Sequence, residues 1–184
     1  MRECAWAIYG AGFRFTTLEK NWPALDKAYL RWDYKRIVEQ SSAVEQNALQ
    51  VIAHTGKVKA ILAIAKLLND QGWPEVQAEI FGRITWDARD NPEVSQELLS
   101  YLDGLPWVGQ VLASYIAKNI GVASIKPDIW MLRLAKWLEY SENEAGVWDM
   151  ARDFQVETGE NIQAIDTVLW NWAKEQPELT EEAV

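Results

Sequence analysis

Two short stretches carry residue types at spacings that can do chemistry. The first is Gly104-Leu105-Pro106-Trp107-Val108-Gly109-Gln110, between two apolar helical patterns. Gly104 and Gly109 permit a sharp turn and a close approach of backbone to a ligand, and Pro106 stiffens it. Gln110 opens a helix whose first N–H groups lack internal partners, and the helix dipole adds to their attraction for an anion such as a phosphate. The second stretch is Lys126-Pro127-Asp128, with Arg133 five residues further on. Asp128 is either the N-cap of the helix that follows or a carboxylate placed to react. The hairpin alone fits an ordinary helix–turn–helix in a core as well as a phosphate-binding turn.

The elements that must position these residues are all helical. Apolar residues recur at three- and four-residue steps, clearest at Val58, Ile61, Leu62, Ala65 and Leu68, and no stretch alternates with period two. The pattern predicts an all-α chain of about ten short helices. The first covers 4–9 and ends at Gly10. A second is capped by Thr16 or Thr17, and Pro23 opens a further stretch over 24–30. Asp33 caps a short helix, and Ser41 and Ser42 cap one over 43–53. Gly56 breaks the chain before a helix over 57–68, whose Lys57, Lys59 and Lys66 form either a solvated face or a phosphate-facing one. A helix over 75–81, a loop over 82–91 and a helix from Pro92 and Glu93 to Leu102 lead into the hairpin. Beyond it come helices over 110–120 and 129–138, an acidic turn over 141–146, and helices over 147–158 and 162–174. The segment after Pro177 reads as a frayed acidic tail. The domain reading is thus one helical domain over 1–176 and a tail over 177–184.

Composition narrows the classes. The chain has 184 residues, is 49% hydrophobic, and contains no apolar run long enough to span a bilayer. Nothing at its start reads as a signal peptide, so a cytoplasmic protein, nucleoid-associated if prokaryotic, is expected. One cysteine, Cys4, and one histidine, His54, exclude a disulfide framework and argue against a zinc site or an iron–sulfur cluster. His54 reads as a helix-end residue rather than a catalyst. The net charge of −9 sits almost wholly at the C-terminal end. Residues 1–136 hold 16 Lys and Arg against 15 Asp and Glu; residues 137–184 hold 2 against 12. A local basic face therefore remains available to nucleic acid, with modest and salt-dependent affinity. Most of the eleven tryptophans belong in a core, with one or two free to stack on bases.

Leu105-Pro106-x-Val108-Gly109, an Ala-rich helix, then Asp128 opening a helix with Arg133 beyond it, resembles the helix–hairpin–helix base-excision DNA glycosylase superfamily. Thr55-Gly-Lys-Val-Lys-Ala-Ile61 and Ile165-Asp-Thr-Val-Leu-Trp-Asn-Trp172 are similar to two of its other helices, so the resemblance spans about residues 3–174. It implies a two-lobed all-α fold around a cleft, double-stranded DNA as partner, and a damaged or modified base flipped into the cleft by a monomer. It implies DNA contacts from Gly104, Leu105, Trp107, Val108, Gly109, Gln110, Lys126 and Arg133. Asp128 would stabilise the oxocarbenium-like sugar or activate water. Glu3, Trp6, Tyr9, Phe13, Arg14 and Trp130 would form the base pocket, although Trp6 and Tyr9 fit a core equally well. No organic cofactor is implied; the carbonyls of Asp103, Leu105 and Val108 match positions that hold Na+ or K+ in relatives. Two departures are specific. Trp107 stands where the family has Gly, and faces either inward or the DNA. Val111 stands where bifunctional members have a Schiff-base Lys, so a monofunctional enzyme is expected. The acidic balance leaves a second expectation, a weak or inactive module that binds DNA structure on the same scaffold.

Overall fold

The computed structural model describes residues 1–84 and 96–180, the side chain of Thr180 apart. Among them there is no strand, and twelve α-helices follow one another: α1 (Arg2–Gly10), α2 (Phe15–Ala28), α3 (Tyr34–Glu39), α4 (Ser41–Val51), α5 (Thr55–Gln71), α6 (Trp73–Gly82), α7 (Gln96–Asp103), α8 (Gln110–Asn119), α9 (Ile129–Trp137), α10 (Glu144–Thr158), α11 (Ile162–Glu175) and α12 (Pro177–Thr180). The protein is all-α. None of these helices is long and apolar enough to cross a membrane. The chain divides into two compact units. The first comprises residues 1–82 and 103–112, the second 83–102 and 113–184. The expected loop over 82–91 and the helix start at Pro92 and Glu93 lie largely outside the described residues, but Gly82 itself ends α6.

In the first unit α5 packs against α1, α3 and α4. It buries Val58, Ile61, Ala65 and Leu68, the stripe its periodicity predicts. Burial of such side chains is worth about 1.5–3 kcal/mol each, which is why this helix tolerates Gly56 in its first turn instead of breaking there. Its N-cap is His54, whose Nδ1 accepts from the Lys57 amide at 3.3 Å. Asp33 caps α3 as expected, accepting from the amides of Lys35 and Arg36.

Three expectations fail here. α2 starts after Arg14 rather than at a threonine cap and runs straight through Pro23. Leu18 and Leu25, seven residues apart on one face, are fully buried and hold the helix together across the missing N–H. α4 begins at Ser41 with Gln40 as N-cap, and neither serine side chain caps it. Lys57 does not lie on a polar face. It is buried, and its Nζ donates to the carbonyl of Ile8 and, at 2.6 Å, to that of Ala11, closing the end of α1. Burial holds its pKa below the ordinary lysine value. Of the other two lysines, Lys66 pairs with Asp70 at 2.5 Å in the open.

Between α2 and α3 the chain makes a left-handed turn. Leu30, Arg31 and Trp32 have φ of 50°, 61° and 63°, each a cost of about 1 kcal/mol for a residue with a Cβ. The turn seats the Trp32 ring against Tyr29 and Trp22, both stacked at 5.0 Å.

In the second unit α9, α10 and α11 pack on one another, and α12 lies on α9 and α11. α10 starts at Glu144, so the acidic turn expected over 141–146 is shorter. Asn143 caps it by accepting from the Gly146 amide at 2.9 Å. A Cβ on Gly146 would run into the Ser141 backbone, 2.8 Å from its N and C atoms. The tail does not fray through residue 180: Leu179 is buried, and its carbonyl accepts from Arg133 Nη1 at 2.9 Å. Residues 181–184 lie outside the described part.

Candidate functional site

Asp128 is the N-cap of α9. Its Oδ1 accepts from the amides of Trp130 (3.1 Å) and Met131 (3.3 Å). Its Oδ2 accepts from Trp170 Nε1 on α11 at 2.8 Å and faces the Lys126 ammonium at 2.9 Å. Four donors from α9, α11 and the loop before α9 thus converge on one half-buried carboxylate. The loop is itself pinned. Asp166, 2% exposed on α11, accepts from the Lys126 amide at 2.9 Å and from Lys118 Nζ of α8 at 2.5 Å. A buried acid holding a backbone amide and an ammonium is satisfied on both oxygens, as low-dielectric surroundings demand.

Aromatic faces line the same cluster. The ammonium groups of Lys118 and Lys126 lie 5.6 Å from the Tyr115 ring centre, and Lys174 Nζ lies 3.5 Å from that of Trp170. Lys118, Lys126 and Lys174 lie with two carboxylates here, a local positive balance in a chain of net charge −9. Asp166, Lys118, Tyr115, Trp170 and Lys174 were not singled out from the sequence. The legible signal was Asp166 itself, a charge four residues from buried Ile162 on the apolar face of α11, with Trp170 four residues further along.

The hairpin belongs to the first unit. The Val108 amide donates to the Leu105 carbonyl at 3.0 Å, which closes a four-residue turn with Pro106 and Trp107 at its centre. Trp107 has φ +64° and is 58% exposed. Its ring sits edge-on to His54, 6.3 Å between centres, and covers Gly56, where a Cβ would lie 2.7 Å from Cζ2 of the indole. Val108 is buried and anchors the turn, while Asp103, Gly104, Gly109 and Gln110 are exposed. The Leu105 carbonyl, one of three expected cation ligands, already spends a lone pair on the turn.

No protein-family model, curated protein or solved structure matches this chain.

The remaining expected site residues divide. Tyr9 is fully buried, and its hydroxyl is 2.9 Å from that of Tyr29. Desolvation raises the pKa of both phenols, which stay neutral. Tyr9 is therefore a core residue and presents no face to a ligand, because α1 points it into the unit alongside Ala5 and Ile8. Trp6 is half-buried, edge-on to Phe15 and Trp22 at 5.7 and 4.7 Å. Phe13 is half-buried beside His54 and the Lys57 ammonium. Phe13, His54 and Trp107 thereby form one aromatic line within the first unit, with His54 as the link the sequence did not disclose. Glu3 and Arg14 are exposed. In the second unit Arg133 lies over the Trp130 ring at 5.5 Å and spends a donor on Leu179, so its first partner is the chain itself rather than a phosphate.

Proposed function

We propose that the protein is a monofunctional DNA N-glycosylase, which flips a damaged or modified base from double-stranded DNA and hydrolyses its bond to the sugar. Asp128 is the catalytic carboxylate. The observation that carries this reading is the arrangement around Asp128, where two backbone amides, an indole N–H and an ammonium orient one half-buried carboxylate. A carboxylate so held can stabilise positive charge developing on the sugar and, once Lys126 leaves Oδ2, can take a proton from an attacking water. Lys126 is its exchangeable partner. On a long flexible stem, its ammonium can leave Oδ2 for a phosphate, as a point charge does. The turn over 105–108 and the exposed start of α8 supply the DNA grip, contacts that position the duplex without reading its sequence. Val111, in place of an amine, leaves hydrolysis rather than lyase chemistry. Na+ or K+ at the hairpin carbonyls of Asp103, Leu105 and Val108 would serve the grip alone.

The test is incubation with duplexes carrying alkylated, oxidised, deaminated or hypermodified bases, followed by alkaline cleavage at abasic sites. Strand cleavage with one such duplex, lost in Asp128→Asn, is the expected result. No cleavage of any duplex, or equal cleavage by Asp128→Asn, sinks the reading. One observation favours a second reading, a DNA-structure-binding module without chemistry. All four partners of Asp128 come from the chain itself, as for a purely structural cap. That reading expects duplex or abasic-site binding that survives Asp128→Asn and is lost when Gly109 becomes bulky.

A further inference from the structure

The hairpin inverts the usual distribution of residue types over backbone conformations. Its one left-handed position, φ +64°, favours glycine and carries Trp107. Two residues on, Gly109 has an ordinary φ, and a Cβ there would meet nothing within 4 Å. Folding asks for neither choice. The indole does not repay its backbone strain by burial, because it is 58% exposed. Yet the fold is shaped around it. Gly56 is bare where its Cβ would meet the benzo atoms of the ring, and His54, itself fixed as the cap of α5, stands perpendicular to it. A braced indole, 58% exposed, offers its free surface to a flat partner. The open backbone at Gly109 lets a nucleotide's sugar and phosphate come close.

We infer that Trp107 is a stacking platform for an unpaired nucleobase, which recognises the base left without a partner in a disrupted duplex. The inference rests on the DNA-binding part of the proposed function and not on its chemistry. Stacking needs only a π face, so the platform is indifferent to which base is presented. It selects for a base already out of its pair, because such a base costs least to unstack.

The test uses two duplexes of one sequence at low salt, each with 2-aminopurine at the same position. In one it is paired; in the other it faces an abasic site. Wild type should prefer the second duplex and quench its 2-aminopurine. W107A and W107G should lose that preference by on the order of tenfold, while W107F, which keeps a π face, stays within a few-fold of wild type. W107G should melt at or above wild type, which separates lost binding from lost folding. Retained preference in W107G overturns the platform and leaves the glycosylase reading standing. A W107G protein that melts well below wild type marks the indole as structural and also overturns it. Failure of wild type to bind either duplex overturns both. Intact preference without excision of any modified base supports the platform and sinks only the chemistry.

Discussion

The loop and helix ends around Asp128 and the turn around Trp107 are built on opposite plans. At Asp128 every acceptor is occupied, the neighbouring Asp166 is buried and doubly bonded, and the connecting loop is tied to α11 through the Lys126 amide. At Trp107 one backbone hydrogen bond closes a strained turn whose central side chain stands in solvent. The first plan couples function to stability, since the groups that orient the carboxylate also hold three segments together. The second separates them: the strained residue contributes little to the fold and is free to serve a ligand.

Substitutions in the two regions should therefore behave differently. Asp128→Asn should lower single-turnover excision by about 10³-fold, about 4 kcal/mol of barrier, and should also cost about 1–3 kcal/mol in denaturation, because the amide nitrogen replaces an acceptor opposite the Trp170 N–H and the Lys126 ammonium. An unchanged stability would break the coupling of function to fold in this region. Asp166→Ala should cost about 3 kcal/mol in urea unfolding, by leaving the Lys126 amide and Lys118 unpaired. An unchanged midpoint would break the claim that this region is wired from several segments.

A pair of glycines sharpens the contrast. Gly146→Ala should cost about 2 kcal/mol, since its Cβ meets backbone at Ser141, whereas Gly109→Ala should leave stability within about 0.5 kcal/mol. Equal effects in thermal melts would remove the distinction between a glycine the fold needs and one it does not. Trp170→Phe keeps a ring beneath Lys174 and removes only the N–H to Oδ2, so about 1 kcal/mol is expected, read as a roughly fivefold slower single turnover at unchanged DNA affinity. A small effect of opposite sign is the most diagnostic. Trp107→Gly should raise stability by up to about 1 kcal/mol through relief of the left-handed strain, a sign no substitution around Asp128 shares.

Local signals that act over three or four residues were legible. The apolar stripe of α5 and the caps at Asp33 and Asp128 stand where residue type and spacing put them, whereas His54, expected at the end of the preceding helix, caps the start of α5. Signals that burial can outweigh were not. Pro23 lies inside a helix, Ser41 and Ser42 cap nothing, and the tail docks through Leu179. At Pro23 and in the tail, burial of Leu25 and Leu179 outweighs a local preference worth about 1–3 kcal/mol; nothing in the structure explains the idle serines.

The amino-acid sequence by itself determined that this chain is all-α, that Asp128 opens a helix, and that a stiff turn precedes α8, because these follow from backbone propensity and short-range hydrogen bonds. Only the tertiary structure decided what those residues face. It gave Asp128 an indole donor from forty-two residues away, buried Lys57 against α1 and Tyr9 against Tyr29, turned Arg133 toward Leu179, and left Trp107 standing against Gly56. Side-chain direction and long-range partners depend on how helices pack, and local periodicity does not encode that packing.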